Sequence, residues 1–190
     1  MSRGFTVIEL LVVIVVIAII GGGSYSLYQG RREQALANII WTDLDAIEGA
    51  ITNTAKSEGI DTWWTQGELG TGSTNPTLQT IASQVELEKY LAKLPEPADS
   101  NLSAYLYDND GDTYNSTNCS NATYASRGVN LRIRTLNGSR FAKRALEKID
   151  AIHDNNNGNC GKVTITTSGN TTTLYYHIAL NSADYPSTID

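Results

Sequence analysis

The sequence predicts an α+β fold: one long N-terminal helix, a hydrophobic half followed by an amphipathic half, packed on an antiparallel sheet of about four strands. Three patterns lead there. Phe5 to Ile20 is an almost purely aliphatic run with no counterpart downstream. Past it, Leu36, Ile40, Leu44, Ile47 and Ile51 recur at helical spacing, with Ile39 and Ala50 widening the stripe. Beyond residue 60 the chain is dominated by Thr, Asn, Ser, Gly and Asp, broken by short apolar runs. It reads as a membrane segment attached to a water-facing domain.

Taken in order, residues 5–29 form the hydrophobic half of the helix and residues 30–58 the amphipathic half. Gly21-Gly22-Gly23 interrupts the first half and reads either as a place of close helix approach or as a weak point. Lys56 in the last turn and Gly59 just beyond it are stop signals. Residues 59–190 make the head. Its first part, 59–103, is a loop region with an exposed-looking pair, Trp63-Trp64. Adjacent tryptophans cannot share one face, so one is expected on the helix and the other at a subunit contact, with a glycan-binding platform as the second reading. Thr77 to Leu94 reads as one or two short helices ended by Pro95 and Pro97.

The second part, 104–190, carries the sheet and is bounded by cysteines. Ala104 to Tyr107 is a candidate first strand. Val129, Leu131 and Ile133 alternate with Asn130, Arg132 and Arg134, the pattern of a half-buried strand. Asn137-Gly138 turns the chain, and Ser139 caps a helix carrying Phe141, Ala145, Leu146, Ile149 and Ile152. A hairpin closes the domain: Lys162 to Thr167, a Gly169-Asn170 turn, then Thr172 to Leu180. At 190 residues the chain holds one ordinary domain, or a smaller one carried on a long helix.

The net charge of −6 argues against a nucleic-acid partner, which needs clustered Lys and Arg. The densest basic group, Arg132, Arg134, Arg140, Lys143 and Arg144, reads as a solvated face or a modest acidic-partner contact. Cys119 and Cys160 lie in polar surroundings, outside any CxxC, and read as a disulfide that tethers a long loop against the sheet.

The N-terminus carries most of the information. Met1-Ser2-Arg3-Gly4 is a very short leader with one basic side chain. The apolar run follows, and close to its start stands a single carboxylate, Glu9. A secretory signal peptide would place small residues after its apolar core and would be weakened by a Glu inside it. A plain signal anchor explains the length of the run but leaves Glu9 unexplained. A charge in hydrocarbon costs several kcal/mol without a partner, so Glu9 is a functional residue unless shown otherwise. Its bland role is that of an acidic residue at a helix N-terminus.

Gly4-Phe5-Thr6-Val7-Ile8-Glu9-Leu10-Leu11 resembles the prepilin processing motif of bacterial type IV pilins and type II secretion pseudopilins. The resemblance is close over roughly the first fifth of the chain and holds only in layout beyond it. It implies that a prepilin peptidase cuts after Gly4, that Phe5 becomes a methylated N-terminus, and that Glu9 is the family's shared glutamate. An α-amine with an ordinary pKa of roughly 7.7–8.0 is largely protonated at neutral pH. In packed helices, one subunit's amine beside a neighbour's Glu9 would fix axial register. The resemblance also implies local unwinding at the glycines on assembly; Ser26 stands near where many pilins carry proline. It implies residence in the inner membrane before assembly, then a surface or extracellular pilus, or the periplasm for a pseudopilin. The partners implied are further copies of the chain and the pilus or type II secretion machinery. Subclass features conflict: the helix inside the cysteine-bounded region resembles type IVb pilins, whereas the short leader and Phe5 resemble type IVa pilins and pseudopilins.

Asp108-Asn109-Asp110-Gly111-Asp112 alternates carboxylates as calcium loops do, yet misses the EF-hand pattern in its glycine and lacks the bidentate Glu. Calcium through Asp108, Asp110 and Asp112 therefore stands beside a solvated acidic turn. Major pseudopilins bind calcium in a loop, which adds family support to the first. No other cofactor is expected. His153 to Asn159 reads as an asparagine-rich turn, with metal binding second, and His177 as structural. The sequence has no GxSxG, HExxH or phosphate loop, so an enzyme is not expected. The leading reading is a structural pilus subunit for adhesion, motility or DNA uptake. A pseudopilin or minor pilin is the alternative, and a membrane-tethered binding domain that never polymerises is a third.

Overall fold

The computed structural model describes residues 6–59, 63–64, 69, 75–82, 86–110, 127–154, 157–158 and 161–179. Helix α1, Val7–Glu58, runs 52 residues, about 78 Å at 1.5 Å per residue. It begins at Thr6, whose side chain accepts the Glu9 N–H, and ends at Gly59, whose φ of 63° is left-handed and therefore costs glycine nothing. After it come α2 (Leu78–Ile81), a 3₁₀ turn (Leu87–Lys89), β1 (Leu106–Asp108), β2 (Val129–Arg134), α3 (Arg140–His153), β3 (Val163–Ser168) and β4 (Thr171–Ala179). All strand pairs are antiparallel, in the order β1-β2-β4-β3.

The amphipathic half of α1 buries Leu36, Ile40, Leu44, Ile47 and Ile51 in one core with Leu131, Ile133, Leu174 and Tyr176 of the sheet. Helix α3 packs along α1 and adds Ala142, Ala145, Leu146 and Ile149. Ser139 accepts the Ala142 N–H at 3.3 Å, capping α3 as its position after Asn137-Gly138 predicts. Both turn residues have positive φ, 54° and 64°.

Several expectations need correction. Ile39 is 46 % exposed and Ile152 44 %, so neither belongs to the core stripe. Each lies at the margin of its helix's contact arc, where helical spacing alone does not separate buried from free. Trp63 is fully covered and Trp64 partly so, and the pair is not the exposed one its setting suggested. Asn130 is buried although it alternates with apolar neighbours; β2 is covered on both faces there. The first strand sits about two residues later than Ala104–Tyr107. The helices within Thr77–Leu94 shrink to one α turn and one 3₁₀ turn.

Candidate functional site

Among the described residues, the apolar part of the first half of α1 has no partner outside its own helix. From Val7 to Ile20 the large aliphatic side chains are between 47 and 81 % exposed, and Tyr25, Leu27 and Tyr28 continue the surface. Val7–Glu58 contains the one described helix long and apolar enough to cross a membrane. At the tip, Thr6 and Glu9 form a capping box: Glu9 N–H donates to Thr6 Oγ1 at 3.3 Å, and Glu9 Oε2 accepts Thr6 N–H at 2.8 Å. In a single chain, then, the lone carboxylate of the apolar run serves its own helix end. The Thr-x-x-Glu signature of that box stands in the sequence at positions 6 and 9 and was the missed signal. Gly4 and Phe5 lie outside the described residues.

The helix is unbroken through Gly21-Gly22-Gly23. A Cβ at Gly21 or Gly22 would meet nothing within 4 Å, so no contact among the described residues demands glycine there. Ser24 Oγ donates back to the Ile20 carbonyl at 2.8 Å, a local bond that competes with the helix ladder.

Where the exposed half meets the head, Glu33 is almost completely buried. Lys148 reaches it at 3.2 Å and Arg144 at 3.5 Å, both from α3. Lys148 also donates to the Gly30 carbonyl at 2.9 Å. A buried carboxylate needs such partners, and here they fix the point at which α1 leaves the head. By sequence, Arg31, Arg32 and Glu33 read as the start of the water-exposed part of the helix, and a Glu beside two arginines gives no local sign of this burial. Two buried phenols tie the polar edges of α1 to the sheet. Tyr105 donates to Asp43 at 2.8 Å and Tyr176 to Glu48 at 2.5 Å, and Lys162 completes the second pair. Burial pushes both phenols up, and pushes the Asp43 carboxyl up as well.

The candidate calcium loop is only partly described. Asp108 ends β1, is buried, and faces Arg132 at 3.4 Å. Asn109 is buried too, its amide donating to the Trp63 and Trp64 carbonyls, while Asp110 is exposed. Asp112 lies outside the described residues, as do Cys119 and Cys160. His153 stacks on Trp41 at 4.6 Å and approaches Asn38 at 3.1 Å. His177 is fully buried beside Thr164, and burial pushes its imidazole down to about 3 against a bond to the Arg127 backbone. Both histidines thus sit among packing partners.

Residues 1–25 match the family model of the prokaryotic N-terminal methylation motif, the prepilin-type signal. No curated protein and no solved structure matches the chain. The motif implies processing by prepilin peptidase and fits membrane anchoring by the apolar helix before assembly.

Proposed function

We propose that this chain, a type IV pilin-like or pseudopilin subunit by its processing signal, is the structural subunit of an extracellular pilus that polymerises through α1. One observation carries the reading: the prepilin-type signal sits on a helix whose apolar half is left uncovered by the other described residues. Each large aliphatic side chain is worth roughly 1.5–3 kcal/mol when fully buried. Outside lipid, only other copies' helices offer matching surface, so leaving the membrane and assembling are coupled. The α+β arrangement of a long helix on a four-stranded sheet is consistent with the pilin fold.

In this mechanism the peptidase cuts after Gly4 and frees the Phe5 amine. Glu9 then exchanges its capping bond within the chain for the charged amine of a neighbour. Two buried opposite charges set register more than they add stability, because desolvation offsets most of their attraction. The test is electron microscopy of sheared surface filaments with mass spectrometry of the subunit's N-terminus. Long filaments built from chains that start at methylated Phe5 are expected. Correct processing without long filaments would reassign the chain as a pseudopilin or minor pilin. An intact Met1 would remove the filament reading and leave a tethered domain.

A further inference from the structure

We propose that the C-terminal end of α3 is a cation site, where the carboxylates of Asp150 and Asp154 hold a hard divalent cation of the calcium class. Asp150 is 5 % exposed, and its Oδ1 is sealed from solvent without a hydrogen-bond partner. Orphaned buried oxygens of this kind are rare in folded proteins and point to a missing partner. Asp154 stands four residues on, at the helix cap, so the two acids share a face. Its Oδ2 accepts the Val163 N–H at 2.9 Å. The chain then returns over Asp150: a Cβ at Gly158 would lie 3.9 Å from Asp150 Oδ2, and the Gly158 carbonyl accepts the Ile165 N–H at 2.6 Å.

Everything nearby makes two anions costly there. They sit at the negative end of the α3 dipole. Among the described residues, no cation is paired with either acid. His153 is turned onto Trp41 and Asn38, Lys148 holds Glu33, and Lys162 holds Glu48. The Asn157 N–H bonds the Asp150 carboxylate but brings no full positive charge to balance it. A bound cation would offset that cost.

The donor chemistry selects the class. Two carboxylates meet the carbonyls that the last turn of any helix leaves without partners. An all-oxygen, irregular setting suits calcium, whereas magnesium demands a rigid octahedron and transition metals prefer imidazole or thiolate. The site is distinct from Asp108, whose charge faces Arg132.

The experiment uses the full chain in detergent, stripped with chelator, melted with and without calcium at matched ionic strength. Hydrogen exchange is followed in parallel. Calcium at about 10 mM, well above the dissociation constants of roughly 0.1–1 mM typical of extracellular sites, should raise the Tm by several degrees. Protection should appear at the last turn of α3 and the start of β3. Asp150→Asn should abolish the calcium shift and raise the calcium-free Tm, because it removes the uncompensated charge. Three outcomes would overturn the site: no shift beyond the ionic-strength control, a shift that survives in Asp150→Asn, or wild-type protection that falls at 108–110 instead. The exchange map decides the matter even where a variant fails to fold.

Discussion

The two halves of α1 are one continuous helix with opposite needs. Between Leu36 and Ala55 the helix buries a stripe against the sheet and sets its polar edges into Tyr105, Tyr176 and Lys162. Between Val7 and Leu27 its large apolar side chains are exposed on every face, uncovered by the other described elements. A helix hydrophobic on every face belongs in a membrane or in a bundle of its own kind. The first half is thus written for other copies and the second for this one. Glu33, with Lys148 and Arg144, marks the border.

The sharpest way to break this division is at Glu9. Glu9→Ala removes both the capping box and the charge, whereas Glu9→Gln keeps a capping side chain and removes only the charge. Losing the cap costs about 0.5–2 kcal/mol of helix stability. Leaving the neighbour's amine unpaired costs about 3–5 kcal/mol per subunit, which repeated along a polymer is prohibitive. Both variants should insert into membranes normally and cut filament yield at least tenfold, scored by shearing and immunoblot. Normal yield from Glu9→Gln would reduce Glu9 to a cap.

The second test compares truncations in the two halves. Leu44 is fully buried, so Leu44→Ala should destabilise the head by about 2–5 kcal/mol. Ile14→Ala, in the exposed half, should leave the head's Tm where it is. Equal effects on a thermal melt would mean that the halves are not separate in energy. Glu33→Gln probes the border with a smaller effect. Lys148 and Arg144 are 33 and 65 % exposed and turn to water when the charge goes, so the loss should be about 1–2 kcal/mol by denaturant melt.

The same division explains what was legible in the sequence. Periodicity exposed the stripe from Leu36 to Ile51, the strand at 129–134 and the closing hairpin, because those signals are local. Gly59 and Ser139 were legible because capping is local chemistry. Ile39 and Ile152 were not, since the width of a buried arc depends on what packs against it. Asn130, Glu33 and Asp150 escaped for the converse reason. A polar residue's burial is decided by tertiary packing, as for Glu33, whose partners Arg144 and Lys148 lie more than a hundred positions away. In the candidate site, Glu9 stood out because a carboxylate in an aliphatic run is anomalous wherever the helix ends up.

The smallest effect on the head, and the finest test of the first half, comes from Gly21 and Gly22. Both are helical, and a methyl group there meets nothing among the described residues. Changing both to alanine should leave the Tm of the head unchanged and stiffen the helix by about 1–2 kcal/mol in total. The two roles open to these glycines now separate. If they serve close approach between helices, alanine is small enough to keep most of that contact and filaments form at near-normal yield. If the segment unwinds when subunits leave the membrane, the same stiffening opposes assembly directly. The Ser24 bond to the Ile20 carbonyl offers the backbone an alternative to its ladder at that place. The expected result is therefore reduced filament yield from the double alanine variant. Wild-type filaments should show fast hydrogen exchange at residues 21–24. Slow exchange there, with full yield from the variant, would make α1 a rigid rod from end to end.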